Sequence, residues 1–415
     1  MSQIVTPGVL KGLVVAPPSK SDAQRAIIAA FLANGKTIIY NIGQSEDVQN
    51  VLNAVENLGA KITQIDSTTI EIQGGQLNIS QQIVSVGESG LGARLLIAIC
   101  ASFSEKITLT GHGTLMTRPM DFYETYLPNL GVEISTTNGK LPVSIKGPLN
   151  GSSFKTDGSV SSQYISGLLM SLPLSKQNSV MEVENQQSTP YIQMTLQTLG
   201  AFGIKIQQVG TKYLIPGKQR YQATAYHVEN DWSAASYWLL AAALGHPIQI
   251  SGLNASSLQA DKAFLDVLKL AGCSISVNES ILEVSSSSLR AFTFDATHCP
   301  DLFPTLVVLA AKIKGISIIK GLNRLQHKES DRGKVLRKEF GKMGLNCELI
   351  GDEMHVHGTG VLHGARVFSH KDHRIAMSLA IAATCALGTT IIEDAQAVSK
   401  SYPEFWEQLK QLKSN

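Results

Sequence analysis

Long apolar runs, each opened by a short polar tip, recur along the chain: SKSDAQRAIIAA, GESGLGARLLIA, DGSVSSQYISGLL, ENDWSAASYWLLAAA, CPDLFPTLVVLAA and HKDHRIAMSLAIAA. Runs that are apolar on most of their surface predict buried helices rather than amphipathic ones. With Ser21, Ser89, Ser161, Ser233, Asp301 and Asp372 as the tips, the spacings are 68, 72, 72, 68 and 71 residues. A second phrase keeps the same step: VENLGAKI, LPNLGVEI, LGAFGIKI, LKLAGCSI and FGKMGLNC. Its glycines, Gly59, Gly131, Gly203, Gly272 and Gly344, lie 72, 72, 69 and 72 residues apart. Each follows a helical pattern, where a left-handed residue without a Cβ ends a helix at little cost. Beyond the glycine, stretches such as AKITQIDSTTIEIQG, CSISVNESILEVSS and LNCELIGDEMHVHG alternate at period two around a polar turn. That alternation predicts a hairpin.

The chain is thus a sixfold repeat, each copy ending helix, strand, turn, strand. The sixth copy lacks the glycine and finishes at FWEQLKQLKSN, so the N-terminal VTPGVLKGLVVAP is expected to close the set as a strand. Three copies per domain predict one domain over residues 20–227 and a second from 1–19 with 228–415. Two crossings between domains imply a hinge and closure over a ligand. Helices buried in the middle of a layered domain meet ligand only at their ends, and free N–H groups at helix N-termini favour anions. N-capping alone explains a Ser or Asp at a helix tip and accounts for Ser233 and much of Ser89. It does not explain Lys20, Arg25, Arg94 and Arg374, cations that a helix dipole disfavours unless an anion is bound.

Length and charge narrow the picture. A chain of 415 residues exceeds what one hydrophobic core usually serves. A net charge of +2, from 35 basic and 33 acidic residues, creates no global field for nucleic acid or anionic lipid, so anion binding must be local. The 5 cysteines are widely spread and without CxxC spacing, which disfavours disulfides and zinc and fits core thiols of a reducing cytosol. The N-terminus MSQIVTPGVLKG has no signal-peptide pattern, and no apolar run reaches the length of a membrane span. A cytoplasmic protein with no membrane or nucleic-acid partner is expected.

The densest ionisable cluster is RLQHKESDRGKVLRKEFGKMG. On a helix, Lys328 and Arg332 would share a face at i,i+4 with Glu329 beside them, two cations and a carboxylate for one cleft. Lys334, Arg337 and Lys338 read as a solvated face. No HExxH, GxGxxG or GxxxxGK[ST] pattern is present, so neither a metal nor a nucleotide-type cofactor is expected.

The set PPSKS…R, TRPMDFY, DGSVSSQY, STPYI, CPDLFPT, HKESDR, DHRIAM and SKSYPEFWEQL runs in this order over nearly the whole chain. It resembles the 5-enolpyruvylshikimate-3-phosphate synthase family. The resemblance implies an α/β (α+β) fold of two similar domains, each of three βαβαββ repeats, an inside-out α/β barrel with helix N-termini facing the interdomain cleft. It implies a transferase of the shikimate pathway to chorismate and aromatic amino acids. The 5-hydroxyl of shikimate 3-phosphate attacks C2 of phosphoenolpyruvate, C3 is protonated, and the tetrahedral adduct eliminates phosphate. No metal or organic cofactor is needed, and a monomer is expected. By the same resemblance, Lys20 touches both substrates, and Ser21, Arg25, Ser161, Ser162, Gln163, Ser188, Tyr191, Asp301 and Lys328 hold shikimate 3-phosphate. Gly90, Arg118, Gln163, Arg332, Arg374 and Lys400 belong to the phosphoenolpyruvate side. Asp301 is the expected base for the 5-hydroxyl, with Glu329 and Lys20 or Lys400 carrying the proton to the enol carbon.

The chain departs from the family pattern in places. Asp22 stands in SKSDAQR where SKSxSNR is usual, Glu88-Ser89-Gly90-Leu91 replaces Asn-Ala-Gly-Thr, Arg324 replaces an Asn, and Gln326-His327 replaces Arg-Val. Glu88 is expected to pair with Arg118 or Lys20 until substrate binds. Two alternatives stay open. One is the UDP-N-acetylglucosamine enolpyruvyl transferase, which shares the fold but carries a lid-loop cysteine with no counterpart here. The other is a noncatalytic anion-binding scaffold.

Overall fold

The computed structural model describes residues 1–75, 82–278, 280–326 and 328–414; His327 lies outside them. The chain divides into two compact units, Pro18–Glu229 and Met1–Pro17 with Asn230–Asn415.

In the Pro18–Glu229 unit three four-stranded sheets repeat one plan, a parallel pair followed by an antiparallel hairpin. In the second copy, Ile83–Ser85 runs parallel to Ile107–Thr110, which pairs antiparallel with Lys140–Lys146 and through it with Glu133–Thr137. The third copy does the same with Ser153–Asp157, Ser179–Glu184, Lys212–Ile215 and Gln207–Val209. The first copy takes its parallel strand from the far end of the unit: Ala225–His227 lies beside Gly35–Tyr40, followed by Ile70–Gly74 and Lys61–Gln64. That return strand closes the unit on itself.

The other unit has two such sheets and a three-stranded one. Here the N-terminal stretch does two jobs instead of one. Gly12–Val15 is the parallel strand of the fourth copy, beside Ile248–Ser251, while Ser2–Val5 pairs antiparallel with Thr390–Glu393 and completes the sixth. Pro7 and Gly8 separate the two strands, and proline's missing N–H cannot continue a ladder.

All five repeat glycines have positive φ, from 78° at Gly203 to 118° at Gly59. The helices they punctuate divide in two kinds. Glu46–Asn57 buries one stripe, whereas Gly90–Cys100, Trp232–Ala243, Phe303–Ala311 and His373–Thr384 are buried at every residue. A helix enclosed all round offers only its ends, so its N-terminal residues carry what polar chemistry it has.

Candidate active site

Capping differs from the expectation at two tips. Ser19, not Ser21, caps the helix Lys20–Leu32 by accepting from Asp22 N. Asp231, not Ser233, caps Trp232–Ala243, its Oδ1 accepting from Ser233 N at 2.8 Å and Ala234 N at 3.0 Å. The caps sit one or two residues upstream, which frees the Ser21 and Ser233 hydroxyls from the helix end. Ser89, Ser161 and Asp372 do cap their helices.

In the Pro18–Glu229 unit, Lys20 opens its helix with Nζ 2.9 Å from Asp47 Oδ2. Asp47 is buried in the first turn of Glu46–Asn57. The predicted Glu88–Lys20 pairing is thus not what holds Lys20; Glu88 Oε1 accepts from Thr114 N at 3.0 Å. Arg25 is 1% exposed. Its Nε donates to Thr195 Oγ1 at 2.8 Å, Nη1 to Ser21 O at 2.6 Å and Nη2 to Tyr191 O at 3.2 Å. It therefore knits the Lys20 helix to Thr189–Ala201 and fixes the backbone that presents Ser21 and Tyr191. Burial lowers its pKa to about 10. Asp22 turns inward, accepting from Tyr226 Oη at 2.6 Å and Glu229 N at 2.9 Å, and so ties the helix to the return strand. Burial, against those hydrogen bonds, pushes its pKa up to about 6.

Arg94 organises the neighbouring helix end. It donates from Nη1 to Gln163 Oε1 at 2.9 Å and from Nη2 to Pro119 O at 3.3 Å, over the Tyr164 ring at 5.0 Å from its centroid. It thus holds Gln163 and the loop bearing Arg118 together. Arg118 is 7% exposed, and its guanidinium lies against Gly90, where a Cβ would come 2.3 Å from Nη1. Ser162 is buried beside the cap Ser161, and Ser188 sits at φ 52°, in the left-handed region, just before the Thr189 helix.

In the other unit, Asp301 lies in the short turn Pro300–Leu302 ahead of Phe303–Ala311 and is a cation partner rather than a cap. Arg332 Nη1 reaches its Oδ1 at 2.7 Å, Lys328 Nζ the same oxygen at 3.3 Å, and Arg374 Nη2 its Oδ2 at 3.0 Å. Burial works against the charge, but Arg374, Lys328 and Arg332 hold the carboxyl well below the usual carboxylate range. The expected helical face of Lys328 and Arg332 does not form, because the helix begins at Arg332, with Asp331 as its cap accepting from Lys334 N. Lys328 and Glu329 precede it in the chain and still converge: Glu329 Oε2 accepts from Arg332 Nη2 at 2.6 Å. Arg332 is fastened from behind by Asp372, which accepts from its Nε at 2.8 Å and from Ser330 Oγ at 3.0 Å while capping its own helix at Arg374 N. Lys400 is buried at the end of the turn Ala395–Lys400.

Asp47, Arg94 and Asp372 thus orient the cations. Only Asp372 stood out in the repeat pattern, as a cap; nothing local in sequence marks the pairing Asp47 makes with Lys20. Among the described residues no group of His, Cys, Asp and Glu is arranged to hold a metal ion, and no helix is long and apolar enough to cross a membrane.

Two units of three βαβαββ copies, with Lys, Arg and a caged carboxylate gathered at the ends of buried helices, define the two-domain inside-out α/β fold of enzymes that handle anionic substrates. The family model for EPSP synthase (3-phosphoshikimate 1-carboxyvinyltransferase) matches residues 4–409. Proteins named 3-phosphoshikimate 1-carboxyvinyltransferase are similar throughout: one from Clostridium novyi (strain NT) is 35% identical, covering 98% of this chain and 96% of that protein. One from Clostridium perfringens (strain ATCC 13124) is 38% identical, covering 99% and 97%. The solved EPSP synthase of Acinetobacter baumannii superposes with a TM-score of 0.85 at 25% identity, covering 100% of this chain and 98% of that one. The chain belongs to the EPSP synthase family.

Proposed function

We propose that the residues gathered in the two units carry out the family's reaction, with the roles below. The chain transfers the enolpyruvyl group of phosphoenolpyruvate to the 5-hydroxyl of shikimate 3-phosphate and releases phosphate. Both substrates are polyanions that repel each other, so a site that joins them needs fixed cations and N–H donors already in place. Ser161, Ser162 and Ser188 with Tyr191 take the shikimate phosphate, Ser21 and Arg25 the ring side, and Lys20 reaches both ligands. Gly90, Arg118 and Gln163 from one unit, and Arg332, Arg374 and Lys400 from the other, take phosphoenolpyruvate. Lys328 and Asp301 grip the ring hydroxyls.

The observation that carries this reading is Asp301 held by Arg332, Arg374 and Lys328. Held so, Asp301 is too weak a base to accept a hydroxyl proton. A bound carboxylate or phosphate competes for the same guanidinium groups, and withdrawing them raises the proton affinity of Asp301. The base is thereby strengthened when the second anion arrives. Asp301 takes the 5-hydroxyl proton as oxygen bonds to C2 of phosphoenolpyruvate, and Glu329, or Lys20 or Lys400, protonates C3. Loss of phosphate from the adduct, with a proton leaving C3, restores the vinyl group. Phosphate release by the purified protein, with each substrate omitted in turn, tests the reading. Release requiring both substrates is expected; binding of both without release identifies an anion-binding scaffold.

A further inference from the structure

The network around Asp301 contains a carboxyl group that the roles above leave unused. Asp261 sits in the turn Ala260–Ala263, is 3% exposed, and its Oδ1 is buried with no hydrogen-bond partner. The segment is pinned to the start of helix Trp232–Ala243, since Gln259 Oε1 accepts from Trp232 N at 3.0 Å and its Nε2 donates to Asn230 O at 2.8 Å. That places the Asp261 carboxyl in a hydrogen bond with Ser233. The Ser233 hydroxyl oxygen in turn accepts from Arg374 Nη1, and Arg374 Nη2 donates to Asp301. One hydroxyl and one guanidinium therefore link two buried carboxyl groups.

We propose that Asp261 is a positioning residue for the anion site at Arg374: uncharged, it leaves the guanidinium to a bound anion, and ionised, it competes with that anion. The proposal rests on the assignment of Arg374 to phosphoenolpyruvate. Two buried carboxyl groups in one network do not both ionise readily, and the one with more cations at hand gives up its proton first. Asp301 has Arg332, Arg374 and Lys328; Asp261 faces Asp301, Asp231 and the Cys299 thiol, with Arg374 as the cation acting on it. Burial and then Asp301 push the Asp261 pKa up to about 7, with Arg374 and Ser233 opposing. The proton of the pair stays on Asp261 in neutral solution, and the orphaned Oδ1 is then less costly than it would be on a carboxylate. Affinity for an anion at Arg374 accordingly falls as pH rises through this range. By linkage, anion binding above it draws a proton onto Asp261.

Calorimetric titration of phosphoenolpyruvate into the shikimate 3-phosphate complex, from pH 6 to 9 and in buffers of different ionisation enthalpy, tests this. Comparing Asp261→Asn with the unaltered protein removes the contribution of the substrate's own phosphate titration. The unaltered protein should lose affinity by about tenfold relative to the variant across the range, the scale of a one-charge coupling. At pH 8 it should take up a large fraction of a proton on binding, and the variant none. In kinetics the difference appears in KM for phosphoenolpyruvate rather than in kcat. Superimposable affinity curves with equal proton uptake overturn the proposal. If the variant fails to fold, the unaltered protein decides alone, because no proton uptake at pH 8 overturns it. Phosphate release with superimposable curves refutes only this role for Asp261. A persistent difference in binding without phosphate release refutes the enzymatic reading and leaves the role standing.

Discussion

Gly90→Ala is the sharpest probe of the phosphoenolpyruvate side, because the neighbour it disturbs is a single group. A Cβ at Gly90 would lie 2.3 Å from Arg118 Nη1 and 2.7 Å from its Cζ, where ordinary contact begins at 3.4 Å. The backbone there is helical, so alanine fits the conformation and the clash falls on the guanidinium alone. Arg118 must retreat by about 1 Å, a displacement that in a positioned cation costs on the order of 10²-fold in rate, or about 2.7 kcal/mol of transition-state binding. Steady-state kinetics with phosphoenolpyruvate varied at saturating shikimate 3-phosphate should show that loss in kcat/KM for phosphoenolpyruvate, with KM for shikimate 3-phosphate little changed. Gly92→Ala serves as the contrast, since its Cβ would meet Val51 Cγ2 at 2.6 Å, inside the core. That variant should lose thermal stability instead, while Gly90→Ala melts near the unaltered protein. An unchanged kcat/KM for phosphoenolpyruvate in Gly90→Ala would refute the placement of Arg118.

Three further outcomes are expected. Asp301→Asn should bind both substrates yet release phosphate about 10²- to 10⁴-fold more slowly, the contribution of a positioned base; a rate within tenfold of the unaltered protein in single-turnover measurements removes Asp301 from that role. Asp22, raised from 3.8 to about 6 in the folded chain, binds its proton more tightly folded than unfolded, so its stabilising contribution is full below 3.8 and is lost as pH climbs through 6. That amounts to about 3 kcal/mol; urea unfolding between pH 4 and 7 should show the slope, and Asp22→Asn should flatten it, whereas parallel curves count against the burial argument. Glu88→Gln keeps an oxygen for Thr114 N and should change KM for phosphoenolpyruvate by less than about fivefold, the scale of a partly exposed ion pair; a larger change by initial rates would show that the charge itself acts on the ligand.

The repeat spacing, the glycine-ended helices and the apolar runs were all legible in one dimension, because buried helices and hairpins impose periods of their own. So was the family, since its motifs are contiguous. What adjoins what was not. Asp47 and Lys20 are 27 residues apart, Asp22 and Tyr226 are 204, and Arg374 and Ser233 are 141; local pattern carries no trace of such pairings. The start of the Arg332 helix was misread for a related reason: helical spacing fits Lys328 to Arg332 equally well, and only the Asp331 cap stops the helix short. The N-terminal strands show the same limit, since alternation marks a strand but not its partner. The sequence by itself determined that buried helices would present cations and hydroxyls at their N-termini. The tertiary structure alone decided which carboxylates meet those cations, because burying a charge demands a partner and the partner can come from anywhere in the chain.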